Sequence, residues 1–200
     1  ATGDADLLDT GADIAAFTLP TVSPDGGWLM YQTGPPTQRE QYTHDISQGI
    51  TYALNGGTLP DAGVTQAQWS PDGRHIALLL YESGGGNAYA AVVRRDGSAA
   101  THAMTYFGAL RWTPDGAHLV NQHDQKLEIF AFSDAGTPQL TPLYTLMGVE
   151  GHTFARNSAD LYVMQRDGGG MVFARVDLDD GDLHPLTMPH ADLRDAAGRR

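Results

Sequence analysis

The stretch WSPDGRHIALLLY, residues 69–81, puts a tryptophan before a four-residue turn signal and an unbroken apolar run behind it. Near-copies stand at VSPDG (22–26) and WTPDG (112–116). The aspartates of the three turns, Asp25, Asp72 and Asp115, are spaced by 47 and 43 residues. Another 42 residues on lies Asn157, in FARNSADLYVM (154–164), where Phe154 takes the tryptophan's place and Arg156-Asn157-Ser158 that of Pro-Asp-Gly. Asn tolerates left-handed backbone, so the fourth copy is degenerate in letters but sound as a turn.

The turn has a mechanism. Ser or Thr bonds the nearby backbone, Pro24, Pro71 and Pro114 preset their dihedral, Asp follows, and Gly26, Gly73 and Gly116 take the position that needs positive φ. A type I turn ending in a left-handed Gly predicts a three-residue hairpin closure. The flanks repeat as well. An apolar run follows each turn (Trp28–Tyr31, Ile76–Tyr81, Leu119-Val120, Leu161–Met164). After a loop comes a second run (Tyr42–Ile46, Ala88–Val93, Leu127–Phe132, Met171–Val176). That run ends in a turn signal such as Arg95-Asp96-Gly97, and a weaker strand follows. Several runs are apolar on both faces, which a lone antiparallel sheet with one wet face would not be. Four strands per unit at a period near 44 predict an all-β chain, a β-propeller of four-stranded antiparallel blades. The units span about 13–57, 63–105, 106–146 and 147–187, with 188–200 a tail or the start of a further strand. Trp69, Trp112 and Phe154 then close the innermost strands and fill the wedge between sheets. Val22 is small, which leaves Trp28 as the ring available to the first unit.

These residues resemble the PD-type repeat of TolB-like propellers, a W-S-P-D-G turn, an apolar strand, and a second strand ending in Asp-Gly. The same repeat builds the non-catalytic propeller of the prolyl oligopeptidase family. The resemblance covers residues 13–187, closely in the second and third units, at the turn alone in the first and in register alone in the fourth. It implies a propeller used for protein–protein interaction and an exported, periplasmic location. Such propellers usually carry six or more blades, and four are visible here. The reading therefore favours part of a larger propeller over a four-bladed ring. In the latter, ATGDADLLDTG (1–11) would close the ring with an outer strand; in the former, MPHADLRDAAGRR (188–200) would begin another blade.

Composition narrows the chemistry. The 200 residues carry a net charge of −12, which repels the nucleic-acid backbone. No cysteine is present, which excludes disulfides, thiolate catalysis and cysteine-built zinc sites. The longest apolar run is six residues, against roughly 18 for a membrane span, so no membrane insertion is expected. G-x-S-x-G, H-E-x-x-H and G-x-x-x-x-G-K-[ST] are all missing. Asp177, Asp179 and Asp180, in DLDDGD (177–182), alternate as calcium ligands do, but EF-hand spacing fails and the stretch reads first as a hairpin turn. The eight histidines are scattered. No catalytic residue and no cofactor is expected. Variable loops on a repeating scaffold are where binding sits. The loops between second and third strands share one face with the inter-blade segments 55–63 and 145–148, and there Arg39, Tyr42, His123 and Arg166 are the candidates for holding another protein or a peptide. The rival readings are the substrate-gating propeller of a prolyl-oligopeptidase-like hydrolase, and a metal-dependent hydrolase or lyase with its site at the channel mouth.

Overall fold

The computed structural model describes residues 20–33, 40–54, 59–60, 62–82, 86–155, 160–167 and 170–186. Arg39 and Asn157, and the segments 1–11 and 188–200, lie outside them. Among the described residues sixteen strands form four separate four-stranded sheets, each an antiparallel meander in chain order. The first holds β1 (Thr21–Val22), β2 (Trp28–Thr33), β3 (Glu40–Asp45) and β4 (Ile50–Ala53). The second holds β5 (Gly63–Trp69), β6 (His75–Tyr81), β7 (Ala88–Arg94) and β8 (Ala100–Thr105). The third holds β9 (Ala109–Trp112), β10 (His118–His123), β11 (Lys126–Asp134) and β12 (Pro138–Met147). The fourth holds β13 (Val149–Phe154), β14 (Leu161–Asp167), β15 (Gly170–Val176) and β16 (Leu183–Pro185). These are the blades of a β-propeller.

Each turn is a closed module. The Ser70 N–H donates to His75 O at 2.9 Å and the Gly73 N–H to Ser70 O at 2.9 Å. Four residues, 71–74, therefore separate the last bonded pair, not the three the motif suggested. The reason is the serine side chain: its carbonyl is taken by Gly73, so its hydroxyl oxygen accepts the His75 N–H at 3.0 Å in the carbonyl's stead. The same hydroxyl donates to Asp72 Oδ1 at 2.6 Å, and that oxygen also accepts the Arg74 N–H at 3.1 Å. Thr113 and Asp115 repeat the pattern with Ala117 and His118, and Ser23 and Asp25 with Gly27 and Trp28. Gly26, Gly73 and Gly116 sit at φ of 73°, 69° and 73°, where any side chain would be strained. Successive turns touch: a Cβ on Gly73 would meet Pro24 Cδ at 3.4 Å, and one on Gly116 would meet Pro71 Cδ at 3.5 Å.

Three apolar clusters lie between successive blades, because strand alternation sends odd and even residues to opposite neighbours. In the second blade Ile76, Leu78 and Leu80 face the first, together with Trp28, Met30 and Trp69. Ala77, Leu79, Ala90 and Val92 face the third, where Leu110, Trp112, Leu119 and Phe130 meet them. Val120, Leu127 and Ile129 of the third blade pack on Val149, Leu161, Val163 and Ala174 of the fourth. This explains why the middle strands are apolar on both faces. Trp69 and Trp112 are 8% and 5% exposed and each reaches one blade back: Trp69 Nε1 donates to Thr21 O at 3.3 Å, Trp112 Nε1 to Gln68 O at 3.4 Å. Phe154 is partly buried in the third cluster. Trp28 does not stand in for Val22. It starts a second strand, so it points forward into the second blade, whereas Val22 points backward and is 56% exposed.

Candidate functional site: the connection face

The turn end of the blades is occupied by interactions within the chain. A cleft of about 490 Å³ opens there between the second and third blades, lined by Arg74, His75, Arg94, Asp96, Asp115 and Asp134 among others. Arg94 grips Asp134 with two N–H groups, at 2.9 and 2.7 Å, and His75 Nε2 lies 2.9 Å from the same carboxylate. The guanidinium holds the Asp134 carboxyl far below the usual carboxylate range, with burial opposing and His75 assisting. Between the first and second blades Arg95 donates to Asp25 at 2.7 Å and lies 4.6 Å over the Trp28 ring. Asp25 is lowered to about 2, first by the Ser23 hydroxyl, then by the Gly27 N–H and by Arg95. These pairs fasten one blade to the next.

The aspartates weighed as metal ligands belong to the same end. Asp177 Oδ1 accepts the Asp179 N–H at 3.0 Å, and Asp180 Oδ1 the Asp182 N–H at 2.9 Å. They shape the turn before β16. Burial, with Asp177, Asp180 and Asp179 close by, raises the Tyr144 hydroxyl well above its ordinary range, so it stays a donor, to Asp177 O at 2.9 Å. Among the described residues no three His, Asp or Glu side chains converge as a metal would require.

The opposite end carries the hairpins between second and third strands and the crossings from blade to blade. The third-to-fourth crossing is shorter than the sequence suggested: β12 runs through Met147, so Thr145–Met147 belong to a strand and Gly148 alone connects. The second-to-third crossing is Tyr106-Phe107-Gly108. Its backbone is held from below. Asn121, fully buried, donates through Nδ2 to Tyr106 O at 2.8 Å and to Thr105 Oγ1 at 2.7 Å, and the Thr105 hydroxyl donates to Glu128. A Cβ on Gly108 would fall 2.3 Å from Gln122 O, so only glycine fits this close approach. The effect is to lift two aromatic rings outward. Phe107 is 51% exposed and meets Tyr81 edge-to-face at 5.5 Å. Tyr106, also exposed, stacks on His123 at 5.7 Å and 8°, and Lys126 Nζ sits 4.5 Å over the Tyr106 ring. Tyr81–Phe107 and Tyr106–His123 are thus two ring pairs built on adjacent residues of one crossing, with Lys126 over the Tyr106 ring.

Of the candidates chosen from the sequence, His123 belongs to the second of these pairs, beside Asp124 at 3.1 Å. Arg166 lies at the same end of the fourth blade, its Nε 3.1 Å from Glu150 Oε1, which also accepts from Gln125. Tyr42 lies in the first blade, stacked on Tyr31 at 5.7 Å, its hydroxyl donating to Glu40. That bond, with burial, raises its pKa. The three do not form one constellation. Tyr81, Tyr106 and Phe107 were missed, although two adjacent aromatics in a short crossing before Gly108 are a visible signal. Nearer the inner strands, His152 Nδ1 lies 2.6 Å from Gln122 Oε1, and burial, then Arg111, lowers its pKa below the ordinary histidine value.

Four meanders joined face to face define a β-propeller protein, and solved structures agree. The propeller domain of the Trilobed protease from Pyrococcus furiosus matches with TM-score 0.58 at 13% identity, over 90% of this chain and 59% of that one. The periplasmic gluconolactonase of Pseudomonas aeruginosa matches with TM-score 0.52 at 20% identity, over 84% and 52%. TolB from Acinetobacter baumannii aligns more loosely, with TM-score 0.42 at 19% identity over 90% and 45%. This chain spans about half the length of the solved propellers it matches. No protein-family model matches the sequence, and no curated protein is significantly similar to it.

Proposed function

We propose that this chain is a non-catalytic propeller scaffold that binds another protein through its connection face. The observation that carries the reading is the two exposed ring pairs Tyr81–Phe107 and Tyr106–His123, on a crossing whose backbone the buried Asn121 holds through Tyr106 O. Exposed Tyr and Phe on a rigid backbone supply contact area at low entropic cost, as protein-binding surfaces do. The resemblance of the W-S-P-D-G repeat to TolB-like propellers supports the same role and an exported location. The test is a pull-down in which wild type and Tyr106→Ala/Phe107→Ala are compared side by side. A protein held by wild type and lost from the double variant supports the reading; one held equally by both refutes it. Location is read separately, by fractionating cells of the native host.

A second reading has one observation in its favour: the propeller with TM-score 0.58 belongs to a protease. A substrate-gating propeller would stand beside a serine hydrolase domain. A G-x-S-x-G elbow in the same reading frame supports that reading, and a stop codon directly after Arg200 removes it.

A further inference from the structure

The chain has one lysine, Lys126. It opens β11 at the connection face, and its Nζ lies 4.5 Å from the centre of the Tyr106 ring. Among the described residues it makes no ion pair, and no acceptor takes any of the N–H groups of its ammonium. The carboxylates around it are engaged elsewhere. Glu128, two residues along the same face of β11, accepts from the Thr105 hydroxyl, from Asn121 Nδ2 at 3.2 Å and from the Tyr106 N–H at 3.4 Å. Asp124 lies 3.1 Å from His123 Nε2. Glu150 accepts from Gln125 at 3.0 Å and from Arg166 at 3.1 Å. Apolar side chains adjoin the ammonium instead. Lys126 is paired with Met147 across the sheet, which puts both side chains on one face, and Met147 is 57% exposed. Tyr106 lies against the ammonium, and Phe107 follows it on the crossing.

We propose that the connection face takes an extended peptide segment in which one Asp or Glu stands beside an apolar residue, the carboxylate received by Lys126 and the apolar side chain by Tyr106, Phe107 and Met147. The inference rests on the protein-binding reading above and names what that surface recognises. Charge fixes the occupant. An ammonium whose donors are all open is the complement of a carboxylate, and a charge-assisted bond of this kind is about twice as strong as a neutral one. The Tyr106 ring holds the ammonium in place by a cation–π contact, so less freedom of a long side chain is lost when the partner arrives. The face has no broad positive field, since Asp124, Glu128 and Glu150 lie near and the whole chain carries −12. Long-range steering therefore disfavours a run of acids, and the contact selects one carboxylate at one point. Exposed rings and a methionine beside the cation call for side chains next to that carboxylate, which a peptide supplies and a small anion does not.

The test uses random peptides displayed on phage, selected on the full chain held through a terminal tag and counter-selected on Tyr106→Ala/Phe107→Ala. Peptides that bind wild type and not the double variant are expected to carry an Asp or Glu next to an aromatic or aliphatic residue. As synthetic peptides they are expected to bind Lys126→Gln about ten-fold more weakly than wild type, and to lose the same factor when their own acid is replaced by its amide, with little further loss when the two changes are combined. Lys126→Arg keeps the charge and is expected to keep most of the affinity. Lys126 is only partly buried, and circular dichroism checks that each variant is folded. Peptides that need Tyr106 and Phe107 but bind Lys126→Gln as tightly as wild type overturn the inference and leave the protein-binding surface standing. Polyacidic peptides whose affinity grows with each added carboxylate overturn the single-point contact. A selection that yields only peptides indifferent to the rings, or none, overturns the inference as well, and the pull-down with the double variant then decides the protein-binding reading separately.

Discussion

Replacing Trp112 by alanine tests whether the inner-strand rings hold the blades together. The ring is 5% exposed, packs edge-to-face on Phe132 at 5.2 Å, and lies in the cluster between the second and third blades. Removing a buried tryptophan of about 150–250 Å² forfeits roughly 4–6 kcal/mol of transfer free energy at about 25 cal/mol per Å². Measured truncations of large aromatics cost about 3–5 kcal/mol after partial collapse of the cavity, and that is the expected loss. The Nε1 bond to Gln68 O, long at 3.4 Å, adds little. Trp112→Phe, which keeps most of the packing, is expected to lose about half as much, roughly 2 kcal/mol. Val22→Ala, at the equivalent but exposed position, is expected to fall within about 0.5 kcal/mol of wild type. The assay is equilibrium urea unfolding followed by circular dichroism, with the midpoint read at constant slope. For a chain of this size the Trp112→Ala loss corresponds to a drop in Tm of about 6–20 °C. If Trp112→Ala costs no more than Val22→Ala, the ring is not a wedge and the account of blade packing fails.

Ser70→Ala removes the hydroxyl that accepts the His75 N–H and orients Asp72, and the residue is buried; the expected loss is about 1–3 kcal/mol by urea melt, and Ser70→Thr, which Thr113 shows the module accepts, should recover most of it. Asp25 and Asp134 are both held below their ordinary pKa, so the stability they contribute is full above about pH 4 and is lost as pH falls, for Asp25 through about 2. Thermal melts from pH 6 to 2 should therefore fall away below about 4, with a shallower acid limb for Asp134→Asn; an acid limb unchanged in that variant would show that the Arg94 clamp contributes nothing.

The fold was legible because the repeat writes it several times over. The Ser/Thr-Pro-Asp-Gly turns gave both the hairpins and the period, and the double-sided apolar run Ile76–Leu80 gave the stacking of sheets. What the motif did not disclose was how the serine hydroxyl lengthens the closure, since that depends on which backbone group is already taken. The direction of Trp28 is hidden for a related reason: a residue on the second strand faces the opposite neighbour from one on the first, so one ring does not replace another. The clamps are harder still. Arg94 and Asp134 are 40 residues apart at the ends of corresponding strands, and nothing local to either announces the other. Of the candidates named from the sequence, His123 stacks on Tyr106, Tyr42 and Arg166 lie in the first and fourth blades, and Arg39 lies outside the described residues. The crossings named from the sequence are 55–63 and 145–148, whereas the ring pairs are built by the crossing 106–108, where Asn121 and Gly108 determine which way Tyr106 and Phe107 can point.

The contact of Pro24 with Gly73 and of Pro71 with Gly116 has a consequence for how the molecule comes apart. Among the described residues each module leans on the ones beside it, so melting the first or fourth sheet breaks one of the three described junctions while melting an inner sheet breaks two. Amide protons of β6 and β7, flanked on both sides, belong to the slowest-exchanging unit, and those of the outermost sheets open first. A closed circle of modules has no first sheet to lose.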